Sequence, residues 1–150
     1  MKLATWNVNS LAVRLPQVLD WLAAHGPDVL VLQETKLTDD KFPHQALGDA
    51  GWQVQWFGQK TYNGVALISR ATATDVVRNI PGFDDEQARV IAGSVAGLRV
   101  IGAYFPNGQE PGSEKFAYKM RWQDALRDWV RAELAAHPQL VLMGDFNVAP

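Results

Sequence analysis

Residues 3–32 carry the pattern that most narrows the possible folds. Residues 3–8 are β-rich and alternate in polarity, so they read as a strand. Leu15, Val18, Leu19 and Leu22 then fall at i, i+3, i+4 and i+7, which places residues 14–24 on a helix with one apolar stripe. Pro16 suits a first helical turn, and HGPD at residues 25–28 supplies the Gly and Pro that end a helix. Residues 29–32 form a short continuous apolar run, as in a strand covered on both faces. Strand, helix and strand with short links make a βαβ unit. Its two strands are parallel and its crossover right-handed, which commits the chain to the α/β class.

Further along, residues 39–50 read as a weak helix, and Trp52, Val54 and Trp56 alternate as a strand. Asn63-Gly64 is a turn before a strand at residues 65–69, and residues 74–79 make another. Residues 89–95 and 98–105 flank Ala96-Gly97 as a hairpin. PNGQEPGS is a loop, followed by a helix over residues 113–136. Its core stripe is expected at Trp122, Leu126, Trp129, Val130 and Leu134. His137-Pro138 ends that helix, and residues 140–143 are the last strand. No linker or low-complexity stretch divides the 150 residues, so one domain with mixed strands and flanking helices is expected.

Composition removes several kinds of chemistry. Without cysteine there are no disulfides, thiolate nucleophiles or thiolate metal sites. The formal charge of −2 shows no global basic field, although a local stripe of cations would not register in that sum. The first ten residues contain no long apolar segment, and no stretch spans a membrane. A soluble, cytoplasmic chain is expected, with no membrane partner and no readable protein partner.

The polar residues are distributed unevenly. The first strand ends in Asn7, the second in Gln33-Glu34, the second hairpin strand in Tyr104, and the last in Asp145 and Asn147. Ligands of open α/β sheets bind beyond the carboxyl ends of the strands. If the first, second and last strands are parallel, these tips meet on one rim, where Glu34, Asp145, Asn7, Asn147 and Tyr104 supply two carboxylates, two amides and a phenol. Taken singly, Glu34 reads as a loop or cap carboxylate, Asn7 and Asn147 as turn formers, and Tyr104 as a packing aromatic. Only their convergence points to a site. An oxygen-rich set with no spaced His pair suits a hard cation such as Mg²⁺ or Mn²⁺, and that chemistry fits metal-assisted phosphodiester hydrolysis.

Five stretches, TWNVNS, PDVLVLQETK, FGQKTYNGVALISR, GAYFPNG and LVLMGDFN, occur here in an order that resembles the exonuclease III and abasic-site endonuclease family of DNA-repair nucleases. That family lies within the endonuclease/exonuclease/phosphatase superfamily. The resemblance spans essentially the whole chain. It implies a four-layered α/β sandwich, of which these residues form half, and a Mg²⁺- or Mn²⁺-dependent phosphodiesterase. The implied activities are 3′-to-5′ exonuclease action and incision at abasic sites, with double-stranded DNA, abasic sites and 3′ ends as partners. It makes Glu34 the main metal ligand with Asn7 beside it, and adds Asp145 and Asn147 to the metal set. Asp145 handles the attacking water or the leaving group, Asn147 stabilises the phosphoryl transition state, and Tyr104 stands near the scissile phosphate. Asn107, Lys119 and Arg14 are substrate contacts.

The sequence also departs from the family. Ala12 stands where a basic residue is common, so DNA binding should lose about one unit of salt slope. The resemblance implies a Ser-Asp-His run whose histidine acts at the phosphate; none of His25, His44 and His137 follows Ser-Asp, so none is assigned a catalytic role. WNV at residues 6–8 is echoed by FNV at 146–148, so the last strand reads as the start of a second half. The chain is therefore expected to be truncated at its C-terminus and inactive alone, with one apolar sheet face uncovered. Two alternatives stay open: a phosphatase or phosphodiesterase of the same superfamily acting on another ester, and a catalytically dead DNA-binding fragment.

Overall fold

The structure is a computed structural model that describes residues 1–108 and 110–148. Its elements, in chain order, are β1 (Leu3–Asn7), α1 (Leu11–His25), β2 (Val29–Gln33), a 3₁₀ turn (Asp39–Lys41), α2 (His44–Asp49), β3 (Gln53–Phe57) and β4 (Val65–Ser69). They continue with β5 (Thr74–Arg78), β6 (Val90–Val95), β7 (Leu98–Tyr104), α3 (Glu114–Ala136) and β8 (Leu140–Asp145). The expected βαβ unit is present, with β1 and β2 parallel from Leu3↔Val29 to Asn7↔Gln33.

Two four-stranded mixed sheets result, ordered β1-β2-β4-β3 and β5-β6-β7-β8. They stack face to face because strand residues alternate between two apolar environments. Val29 and Val31 of β2 and Val65 and Leu67 of β4 meet Ile91, Val95 and Val100 of the second sheet. Leu30, Leu32, Ala66 and Ile68 point the other way, against α1 and α2. Val90, Ala92, Ile101 and Ala103 face α3 at Trp122 and Leu126. Helix, sheet, sheet and helix make four layers within these residues. At the sheet interface a Cβ on Gly102 would lie 3.1 Å from a Val31 methyl, so the backbone of β7 is pressed close against β2.

The last strand, β8, pairs in parallel with β7, from Arg99↔Leu140 to Tyr104↔Asp145. Four expectations are corrected. No whole sheet face is left bare among the described residues. The unpaired strand edges are instead those of β1 and β8, which lie against each other, and those of β3 and β5. Helix α1 begins at Leu11, so Pro16 lies inside it rather than in its first turn. Its start is set by tertiary bonds, Ser10 N–H to the Glu34 carbonyl at 2.8 Å and Leu11 N–H to the Thr35 carbonyl at 3.1 Å. In α3 the buried stripe stops at Trp122 and Leu126, with Trp129 and Val130 partly covered and Leu134 exposed. The weak helix over residues 39–50 is broken at Phe42-Pro43 into the 3₁₀ turn and α2. No helix is long and apolar enough to cross a membrane.

Candidate active site

Strand parity builds the site. Val29 and Val31 face the second sheet, so Gln33 does too, and on β1 Leu3 puts Thr5 and Asn7 on the same side. On β8, Val141 and Met143 point between the sheets and Asp145 follows them; on β7, Val100 and Gly102 lead to Tyr104. Each of the four strands therefore delivers a polar residue at its carboxyl end into the gap between the sheets. All four strands run the same way, which brings the tips to one rim.

Asn7 holds the rim together. Its side-chain NH₂ donates to Glu34 Oε2 at 2.7 Å and to Asp145 Oδ2 at 2.9 Å, spanning the two sheets, while its Oδ1 accepts from the Asn9 backbone at 3.1 Å. Asp145 Oδ1 accepts from the Asn147 backbone at 3.0 Å, and the Asn147 side-chain NH₂ donates to the Phe105 carbonyl at 2.7 Å. Burial of the Tyr104 phenol, and after it the Glu34 carboxylate, raise its pKa above the usual tyrosine value. A hydrogen bond with Asn147 and the Arg89 cation oppose that rise. Tyr104 is therefore protonated at neutral pH and able to donate.

The backbone is bent into place here. Asn9, Ser10, Glu34, Lys36 and Asn147 all have positive φ, between 43° and 89°. Non-glycine residues in such conformations each cost on the order of 1 kcal/mol or more and persist only where the surroundings fix them. Here the Val8 N–H bonds the Gln33 carbonyl at 3.0 Å, and the Thr35 and Lys36 N–H groups bond the carbonyls of Gly64 and Asn63 at 3.2 and 2.9 Å. Gly144, with φ near 152°, passes so close to β7 that a Cβ would overlap the Ala103 carbonyl oxygen.

Two cavities open at the rim. One, about 720 Å³, is lined by Thr5, Asn7, Gln33, Asn107, Asp145 and Asn147. Its neighbour, about 420 Å³, has Glu34, Tyr104 and Asn107 at its walls with Arg89, Lys115 and Tyr118. Among the expected site residues, Asn7, Glu34, Tyr104, Asp145 and Asn147 thus converge, and Asn107 lines both cavities. Lys119 reaches the rim, donating to the Asn147 carbonyl at 3.3 Å. Arg14, on α1, lines neither cavity.

Sequence reasoning gave no role to Lys36 or Arg89. Lys36 donates to Asn9 Oδ1 at 2.7 Å and lies 3.8 Å from Glu34. Its one sequence signal is its place two residues after Glu34. Arg89 stacks over the Tyr104 ring at 5.0 Å, and only the expected hairpin pairing could have suggested that proximity.

The donor set fits a hard divalent cation. Glu34 and Asp145 share one neutral amide donor, Lys36 lies 3.8 Å from Glu34, and the ligand atoms the two side chains offer are all oxygen. Among the described residues no group of three or more His, Asp or Glu gathers. Two carboxylates leave positions for water and a phosphate oxygen, as Mg²⁺ prefers.

Comparison with known proteins gives the family and the fold. The sequence pattern of the endonuclease/exonuclease/phosphatase family matches residues 4–150. The chain belongs to that family. It is 32% identical to exodeoxyribonuclease III of Haemophilus influenzae over 156 residues, covering all of this chain and 58% of that enzyme. Among solved structures, the 3′ phosphatase NExo from Neisseria bound to product DNA hairpin superposes with a TM-score of 0.97 at 56% identity, covering 100% of this chain and 59% of that one. An AP endonuclease from Archaeoglobus fulgidus superposes with a TM-score of 0.94 at 37% identity, covering 100% of this chain and 58% of that one. This chain thus spans less than two thirds of the length of these relatives. The α/β fold with two mixed sheets and flanking helices is that of these family members.

Proposed function

We propose that this rim belongs to a Mg²⁺- or Mn²⁺-dependent DNA-repair phosphodiesterase acting at 3′ ends and abasic sites. The observation that carries the reading is the Asn7 amide bridging Glu34 and Asp145 across the two sheets. Glu34 and Asp145 would hold the cation, with the oxygens of Asn7 and Asn147 available on rotation of their amides. A bound cation of this kind withdraws charge from a phosphoryl oxygen and lowers the cost of charge building up there.

The protein groups do the rest. Asp145, fixed at both oxygens, orients or deprotonates the attacking water or handles the leaving oxygen. One hydrogen of the Asn147 NH₂ is used by the Phe105 carbonyl, and the other, which meets the Tyr104 phenol, would turn to a phosphoryl oxygen when substrate enters. Tyr104, held protonated, donates alongside it. Asn107, Lys119 and Arg14 would contact the substrate strand. Exonuclease action and incision at an abasic site then share one event: water adds to phosphorus and the 3′ oxygen leaves.

A 3′-phosphate monoester breaks the same bond, and the 56%-identical relative described as a 3′ phosphatase favours that as a second reading. A panel tests both on the full-length protein: 3′-recessed, abasic and 3′-phosphate duplexes, RNA and inositol phosphate, each with Mg²⁺ and with EDTA. Metal-dependent turnover of the first two supports the main reading, and turnover of the 3′-phosphate alone supports the second. DNA binding without metal-dependent turnover would leave a binding protein instead.

A further inference from the structure

We propose that Arg89 is a positioning residue that sets the Tyr104 phenol at the rim, its guanidinium held between the faces of Tyr104 and Tyr118. The inference rests on the reading above, in which that phenol meets the phosphate. Arg89 lies just before β6, opposite Tyr104 at the end of the β6–β7 ladder, and the Tyr104 N–H donates to the Arg89 carbonyl at 2.8 Å. The side chain repeats that link, with Nη1 donating to the Tyr104 carbonyl at 3.1 Å and Nε to Gln87 Oε1 at 2.7 Å. Its carbon lies 5.0 Å from the Tyr104 ring centre and 5.9 Å from that of Tyr118, within cation–π range of both.

The far wall of this stack is itself anchored. The Tyr118 hydroxyl donates to Asp85 Oδ2 at 2.6 Å, and Asp85 Oδ1 accepts from the Gln87 backbone at 2.9 Å. Asn79 ties the same loop through the carbonyls of Asp85 and Gln87 at 3.1 and 2.9 Å. A chain of fixed groups therefore runs from α3 through Asp85 and Arg89 to Tyr104. An arginine placed to grip phosphate presents its two Nη groups as a fork. Here Nη1 is turned onto the tyrosine's own carbonyl, and the guanidinium lies within cation–π range of both tyrosine rings. That arrangement suits holding Tyr104 better than gripping DNA.

The test measures steady-state kcat and KM for a 3′-recessed duplex with the full-length protein. DNA affinity is measured separately, by fluorescence anisotropy in EDTA. The variants are Tyr104→Phe, Arg89→Met, Arg89→Lys and the double variant Arg89→Met with Tyr104→Phe. Arg89→Met is expected to lower kcat about tenfold or more while KM and the DNA affinity stay within about twofold. Arg89→Lys keeps the charge but cannot make both bonds, so its kcat should stay low. The double variant should fall within about twofold of Tyr104→Phe alone, because both changes act through one phenol.

A loss confined to KM and DNA affinity, restored by lysine, would make Arg89 a phosphate contact and overturn the inference. Additive losses in kcat would also overturn it. If Tyr104→Phe is impaired while Arg89→Met is not, the inference fails and the site reading stands. Full activity in Tyr104→Phe removes both. Should Arg89→Met fail to fold, Arg89→Lys decides alone: reduced kcat with unchanged DNA affinity supports positioning, and unchanged kcat rejects it.

Discussion

Replacing Glu34 or Asp145 by its amide keeps the shape and removes one charge from a pair that shares a single donor. Glu34→Gln and Asp145→Asn in the full-length protein are each expected to slow cleavage of a 3′-recessed duplex by about a hundredfold or more. Single-turnover assays on variants with unchanged circular dichroism would check this, and near-normal cleavage by either would remove that residue from the site. Gly144→Ala probes the scaffold beneath. Its methyl would overlap the Ala103 carbonyl, a backbone atom locked in the β7–β8 ladder. It should cost about 2–3 kcal/mol, read from the urea midpoint; a loss under about 0.5 kcal/mol would mean that β8 shifts freely. The rim carboxylates and amides were legible because each follows an apolar run, where an unpartnered polar group is expensive. Lys36 and Arg89 were not, because what defines them is a partner far along the chain. Lys36 meets Asn9 and Arg89 meets the face of Tyr104. No local window contains such a pair.

Among the elements, α3 shows how a periodic stripe can be read too far. Trp122 and Leu126 are buried against the second sheet, whereas Leu134, eight residues beyond Leu126, is 49% exposed. Spacing gives the face of a helix, but the extent of the sheet decides how much of that face is covered. Leu126→Ala is expected to cost about 2–5 kcal/mol and Leu134→Ala less than about 0.5, both by urea denaturation. Equal losses would restore the longer stripe. The start of α1 escaped notice for a related reason: its first N–H groups bond carbonyls of Glu34 and Thr35, which lie beyond β2. The tie between α3 and the loop after β5 has a pH signature. Burial, and then the bond to Asp85, raise the Tyr118 pKa above its ordinary value of 10.0. A pKa raised on folding contributes stability that is complete below the unfolded value and is lost as pH rises through the folded one. The melting-temperature advantage of the wild type over Tyr118→Phe should therefore be constant below about pH 9 and shrink above about pH 10. An advantage that grew with pH would contradict the assignment.

For the whole molecule, the α/β class and the parallel first pair were legible because a short crossover allows little else. The division into two sheets was not. A strand at residues 140–145 carries the same local signals whether it pairs with β1 or with β7, and that choice decides which surfaces are left open. As folded, β1 and β8 are the neighbouring edges of the two stacked sheets, and every residue of β8 is only partly covered, unlike β2 and β4, which are buried throughout. Phe146 and Val148 extend the same flank at 42% and 72% exposure. Unpaired strand edges beside apolar side chains are templates for association. These 150 residues, prepared as an isolated polypeptide, are therefore expected to self-associate as concentration rises and to brighten a hydrophobic dye. Sedimentation velocity would show species above the 16.6 kDa of one chain. A concentration-independent monomer that unfolds cooperatively and leaves the dye dark would mean that β1 and β8 protect each other well enough to need no further cover.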